Sequence, residues 1–349
     1  MVKNKLRSFF LILTVPLVAF PFLINGCADS SPGKIAFISD RDEPMSDYAI
    51  YVMNADGSNQ TRICSWYGYA SSSSFCWSPD GKRIAFTDMD GWLCVADADG
   101  KNIIKLAELP SFSICWSPDG GKIVAGCLDH DIYIVDSSTG EMQNLTNSPE
   151  AIESLPSWSP DGKKLAFVVF NQPYFDINLM DADGTNETKL ASECGLCEEI
   201  AWSPDGEKIS YTWYSEDIQM PEGICRDISV VDTNDGRQIN LTDSPENDDK
   251  ESSWSPDGTK IVFSSRRQVT VVSIYVMNIN GNQLSQLTTG YDDSYCPSWS
   301  PDGKKIVYTR SVSQPDREDI YVMDADGSNV INLTDTPGIA DFLPVWSPK

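Results

Sequence analysis

The 349-residue chain carries 26 basic and 51 acidic side chains, a formal net charge of −25, with 41% hydrophobic and 22% charged residues. This is the composition of a globular protein, not a disordered one, and the acidity excludes a nucleic-acid partner, whose phosphates would be repelled. A single histidine, His130, excludes a His-rich metal centre and any Ser-His or Cys-His pair elsewhere.

Lys3, Lys5 and Arg7 precede an apolar stretch from Phe9 to Ile24, broken by Pro16 and Pro21. It is short for a membrane span and has the layout of an export signal. It ends in LINGC, Leu23 to Cys27, which resembles a bacterial lipobox. The resemblance implies that Cys27 is lipidated and becomes the mature N-terminus, with residues 28–32 as a short tether. Ordinary signal cleavage and an uncleaved N-terminal anchor are the alternatives. Several acyl chains on one cysteine give stable anchoring where one would be marginal. The expected location is therefore the cell envelope, periplasmic or outer surface, with contact to the membrane through the lipid only. Loss of the three leader cations leaves 23 basic against 51 acidic side chains, −28, so the body is expected to stand off anionic headgroups.

From residue 33 onward one unit recurs. WSP occurs seven times, at Trp77, Trp116, Trp158, Trp202, Trp254, Trp299 and Trp346, and six copies continue as WSPDG. The spacings run from 39 to 52 residues. Each turn is followed by an apolar alternating run (RIAFT at Arg83, KLAFV at Lys164, KIVFS at Lys260). A second run comes next (LCVAD at Leu93, IYIVD at Ile132, IYVMN at Ile274, IYVMD at Ile320). An Asp/Asn/Gly turn then leads to a short strand ending in Leu or Leu-Thr, as in NLT at Asn144, Asn240 and Asn332. Period-two alternation bounded by Gly and Asp reads as strand, and four strands in about 45 residues is a β-propeller blade. In Ser-Pro-Asp-Gly the proline presets φ and the glycine relieves the exit. The repeated tryptophans are expected in blade cores, not as ligand-stacking plates.

The first unit, GKIAF at Gly33, opens on a second-strand run and lacks its own WSP strand; the last, FLPVWSPK at Phe342, is a WSP strand with nothing after it. The expected fold is all-β: a seven-bladed β-propeller of four-stranded antiparallel blades over 33–349. Residues 341–349 supply the innermost strand of blade one, hiding edges that would otherwise aggregate. The units resemble the TolB-like, WD-repeat-like propeller family, with its WSPDG and IYVMNADG repeats, without the extra N-terminal domain of TolB. The family also supplies gating propellers to serine peptidases, but no GxSxG elbow occurs here.

A four-stranded blade puts its first–second and third–fourth turns on one face of the disk and its other connections on the opposite face. The first kind is short and uniform here. The second varies, and irregular loops on a rigid scaffold are where binding resides. Aromatics gather in those loops: Trp66, Tyr67, Tyr69, Tyr174, Phe175, Trp213, Tyr214, Tyr291 and Tyr295 are the candidate binding face. Glu153, Glu198, Glu199, Asp249, Glu251, Asp293 and Asp341 precede the inner strands and are the candidate acids of a channel mouth. They point to non-enzymatic recognition of a protein or peptide with basic segments; a carbohydrate-binding or carbohydrate-processing propeller is the alternative. No cofactor is expected, though an acidic ring has the ligand type for a divalent cation such as calcium. The DADG turns lack the distal Glu of a calcium loop. Nine cysteines remain beyond Cys27, an odd number. Export permits disulfides, with Cys64–Cys76 a candidate staple and Cys194, Cys197 and Cys225 competing partners.

Overall fold

The computed structural model describes residues 33–42, 48–66, 75–148, 150–172, 174–192, 194–214, 225–244, 246–268, 271–313 and 316–348. Among these, every regular element is a strand, and the strands form seven four-stranded antiparallel sheets. Six sheets are consecutive in the chain, and the seventh takes its strands from both ends, in the order Asp341–Trp346, Lys34–Ser39, Tyr48–Asn54, Thr61–Trp66. The molecule is a seven-bladed β-propeller.

The burial pattern explains the composition of the strands. Second strands such as Lys34–Ser39 and third strands such as Tyr48–Asn54 are buried on both faces, because a blade is covered on each side by its neighbours. Fourth strands such as Met142–Asn144 lie at the rim and are mostly exposed. All seven tryptophans of the WSP repeats are buried. Each packs toward the preceding blade: the Nε1 of Trp77, Trp202 and Trp254 donates to the carbonyls of Val345, Ser157 and Ala201, each one residue before the neighbouring tryptophan. The repeated indole is thus the wedge between blades.

The Ser-Pro-Asp-Gly turns share one set of bonds. In the turn at Ser159, the Oγ donates to Asp161 Oδ1 (2.8 Å) and accepts from the Lys164 backbone N–H (2.9 Å), while the Lys163 N–H donates to Asp161. The glycine takes positive φ, +69° at Gly303, where an added Cβ would stand 3.6 Å from Pro256 of the preceding turn. The turns therefore form a ring, each resting on the last.

Closure reproduces this turn without a covalent link. Trp346 and Val345 pair with Ile35 and Ala36, and Asp341 with Ser39. The Ser347 N–H donates to the Lys34 carbonyl (2.8 Å) and the Lys34 N–H to Ser347 Oγ (2.9 Å). These are the bonds that Ser159 makes with Lys164 inside an intact turn. Pro348 fills the next place in the ring: a Cβ on Gly81, at φ +65°, would lie 2.7 Å from its carbonyl oxygen.

The two faces of the disk are separated by further bonds. In blades two to seven the residue after the third strand donates to the first–second turn of its own blade, as Ala98 to Lys82, Ala182 to Lys163 and Ala325 to Lys304. Both short turns therefore lie on one face. At the other end, the second strand bonds the chain arriving at the first: Phe170 to Ile152, Arg266 to Asp248, Ser311 to Asp293. This end carries the irregular connections.

Candidate functional site

The loop face rests on a knot built from the NLT motif. In blade five, Asn240 Nδ2 donates to Asp227 Oδ2 (2.9 Å), the Thr242 and Asp243 N–H groups donate to Asn240 Oδ1, and Thr242 Oγ1 donates to Asp227 Oδ1. Thr242 Oγ1 also accepts from the Ile228 N–H. Blades three and seven repeat it with Asp131–Asn144 and Asp319–Asn332. The aspartate in or just before the first half of the third strand and the NLT thus act together to fix where the chain leaves the rim. The spacing of Asp and NLT carried that signal in three copies.

The candidate acids stand at the start of the inner strands, as their spacing implied, but most are buried and bonded. Glu199 and Glu251 are latches between blades. Glu199 Oε1 accepts from Thr212 Oγ1 (2.7 Å) in its own blade and from Ser252 N (2.8 Å) and Oγ (2.9 Å) in the next. Glu251 Oε2 accepts from Ser264 Oγ (2.6 Å) and from the Cys296 N–H (2.7 Å) of blade seven. Glu251 has φ +59°, and its strand shifts register between Lys250 and Ser253. Such a bulge re-aims a side chain. Blade seven makes the same link to blade one through a hydroxyl, with the Leu343 N–H donating to Thr309 Oγ1.

Arginines hold the remaining acids. Arg226 bridges Glu198 (2.6 Å) and Asp248 (2.8 Å). Arg41 pairs with Asp341 (2.8 Å) and lies over the Tyr51 ring, and Arg267 pairs with Asp249 (2.9 Å) and lies over Tyr275. In blade seven Arg310 pairs with Asp292 and lies over Tyr321. One device therefore recurs in three blades: an arginine at the end of the second strand covers the tyrosine of the third and clamps an acid near the first. The sequence reading missed these arginines; their signal is an Arg just past the apolar run in blades with an acid before WSP. Asp293 accepts from the Val272 N–H (2.7 Å), and Glu153 is buried at the head of its strand.

Among the aromatics, Tyr291 stands free, 95% exposed, beside Asp292 and Asp293. Tyr174 and Phe175 are half-buried, with Phe175 against Phe170 (ring centroids 5.0 Å apart). Trp213 is half-buried and its Nε1 donates to Ser229 Oγ. Tyr295 turns inward, its hydroxyl bonded to Glu318 and its ring packed on the core that holds Phe342 and Leu343. Cys27, Tyr67 and Tyr69 lie outside the described residues, as do the side chains of Trp66 and Tyr214.

The sequence model of the TolB beta propeller domain matches residues 88–216 and 220–349. The chain belongs to the TolB beta-propeller family. A protein TolB homolog of Chlorobium chlorochromatii is 32% identical over 174 residues, 48% of this chain and 37% of that relative's length. The match thus spans well under half of that relative. Among solved structures, TolB from Acinetobacter baumannii superposes with a TM-score of 0.55 at 22% identity, covering 87% of this chain and 79% of that one. The propeller domain of the trilobed protease from Pyrococcus furiosus gives 0.65 at 16% identity, covering 88% and 96%. That domain has an open velcro topology, whereas this TolB-family propeller closes blade one with its C-terminal strand. Both likenesses are likenesses of fold.

Burial sets the protonation of the acids in this TolB-family chain. Glu199, fully enclosed, is pushed up to about 7 although three donors favour its ionised form; its Oε2 has no partner among the described residues. Asp249 is pushed up to about 6, burial outweighing Arg267. Burial also raises Glu198 and Glu153. Glu251 goes the other way: burial opposes ionisation, but Lys250, Ser264 and the Cys296 N–H together hold it below the usual range. These carboxyls thus form a sealed framework beneath the loops. Among the described residues no group of three or more His, Cys, Asp or Glu is placed to hold a metal ion.

The expected disulfides are not formed. Cys64, Cys76, Cys194, Cys197 and Cys225 are all free thiols. Alternation along Phe75–Trp77 puts Phe75 and Trp77 in the core against which Cys64 packs and turns Cys76 to the other side, beside Leu93 and Trp116. Cys194 and Cys197 share a core but bond elsewhere, to Gln238 Oε1 and the Glu199 carbonyl. Burial raises all five thiols, which disfavours their thiolate forms.

Proposed function

We propose that this chain is an exported, lipid-anchored propeller that binds a protein or peptide with basic segments through its loop face, without catalysis. The observation that carries the reading is the asymmetry of the disk. One face is a ring of near-identical interlocked turns, whereas the other bears, among the described residues, the irregular connections, the exposed Tyr291 and many acids over a rigid frame. Rigidity beneath a variable surface favours binding because little ordering entropy remains to be lost, and the acids steer cationic segments toward it. The inner carboxylates are already committed to links between and within blades, which supports recognition over turnover.

The test is binding of a Lys/Arg-rich peptide and a composition-matched neutral peptide to the mature chain, followed by fluorescence anisotropy at low and high salt. The basic peptide should bind and weaken at least several-fold with salt. Tyr291→Ala and Trp213→Ala should each weaken it by about 1–2 kcal/mol, as anchor residues do. Equal binding of both peptides, or binding of glycans with neither peptide, would remove the reading.

A further inference from the structure

The chain enters the propeller on the turn face. Gly33 and Lys34 lie in the non-covalent turn with Ser347, next to the Gly81 turn, within the ring of Ser-Pro-Asp-Gly turns. Only residues 28–32 separate Gly33 from Cys27. Whatever path they take, six peptide steps span at most about 20 Å. Crossing to the loop face uses the height of a blade, about 20 Å over the six steps from Tyr48 to Asn54, which consumes the whole tether before any sideways travel or the loops themselves are added. A lipid on Cys27 therefore cannot reach a bilayer lying against the loop face.

Charge favours the same arrangement. On the turn face exposed lysines are interspersed among the aspartates: the side chains of Lys101, Lys163 and Lys304 are 76%, 79% and 80% exposed beside Asp99, Asp161 and Asp302. On the loop face five arginines each pair with a buried or partly buried acid. Arg41, Arg226, Arg267, Arg310 and Arg317 have side chains only 8–25% exposed. The mixed face is tolerated against anionic headgroups; the acidic face is repelled by them.

We propose that the propeller stands with its turn face toward the membrane that holds the Cys27 lipid and presents its loop face away from it. This rests on the lipid-anchor reading above. A partner then reaches the loop face from the aqueous side, without passing between disk and bilayer. The short tether acts as an orienting device as well as an anchor.

The full-length lipidated protein in vesicles of phosphatidylcholine and phosphatidylglycerol containing a rhodamine lipid provides the test. A donor dye is placed through a genetically encoded azidophenylalanine at Lys163 on the turn face or at Leu128 on the loop face, where the native side chain is 68% exposed. Energy transfer to the bilayer should be clearly more efficient from position 163. Equal or reversed transfer overturns the orientation. Inserting about 20 Gly/Ser residues between Ser30 and Ser31 should at least halve the difference, because a flexible chain of that length reaches past the rim; an undiminished difference overturns the tether as its cause. Metabolic acyl labelling separates the two readings. Wild type should take up label and Cys27→Ser should not; absence of label in both defeats the anchor itself, whereas normal labelling with equal transfer defeats only the orientation.

Discussion

Glu199→Gln isolates the cost of the sealed carboxyl between blades five and six. In the folded protein Glu199 is raised from 4.5 to about 7, with burial as the main cause. A raised folded value means that the carboxyl's contribution is fully present below the unfolded value and is lost as pH climbs through the folded one. At about 1.36 kcal/mol per unit, ionisation should remove about 2–3 kcal/mol of wild-type stability between pH 5 and pH 8. Glutamine cannot ionise. Its Oε1 can still accept from Thr212 and Ser252, while its amide nitrogen replaces the unpartnered Oε2, at a pH-independent cost of about 1–3 kcal/mol. The offset between variant and wild type at any one pH is set by these two opposing contributions, whereas its change with pH comes from the carboxyl alone. Urea unfolding followed by tryptophan fluorescence at pH 5, 6, 7 and 8 should show the variant gaining on wild type by about 2–3 kcal/mol across the range. A difference that stays flat would mean that Glu199 is not held neutral by the blade interface, and the latch argument would fail.

Three further outcomes follow from the same geometry. Gly81→Ala should cost about 1 kcal/mol or more beyond Gly303→Ala in thermal unfolding: both take positive φ, but only at Gly81 does the new Cβ meet a backbone oxygen at 2.7 Å, that of Pro348. Trp254→Phe should destabilise by about 1–2 kcal/mol more than Trp299→Phe in chemical denaturation, since Trp254 Nε1 serves Ala201 O and Ser210 Oγ whereas Trp299 Nε1 has no partner among the described residues. Arg226→Met should cost about 3–5 kcal/mol at neutral pH by stranding the buried Glu198, and the loss should shrink in acid as that carboxyl takes up a proton; a pH-independent loss would argue against the ion pair.

The inner-strand acids show where sequence reading stops. Their place before WSP was legible, because the repeat fixes the register of every inner strand. Their availability was not. Asp341 meets Arg41 across 300 positions, and Glu199 meets Ser252 in the next blade. No local pattern states which blade follows which at a distance of a hydrogen bond, so a bonded latch and an open binding acid look alike in one dimension. Cys64 and Cys76 carry the same lesson: twelve residues apart they suggest a staple, yet pleat alternation sends them to opposite sides of a sheet.

The sequence by itself determined the strands, the turns, the number of blades and the joining of the tail to the first sheet. Each of these depends on short-range chemistry repeated seven times: alternation, proline and glycine at fixed corners, and an indole that needs covering. Only the tertiary structure decided which acids are sealed, which arginines clamp them and on which face the chain enters. Those outcomes depend on contacts between blades, where burial changes what a charge costs and a neighbour from a distant part of the chain decides whether that cost is met.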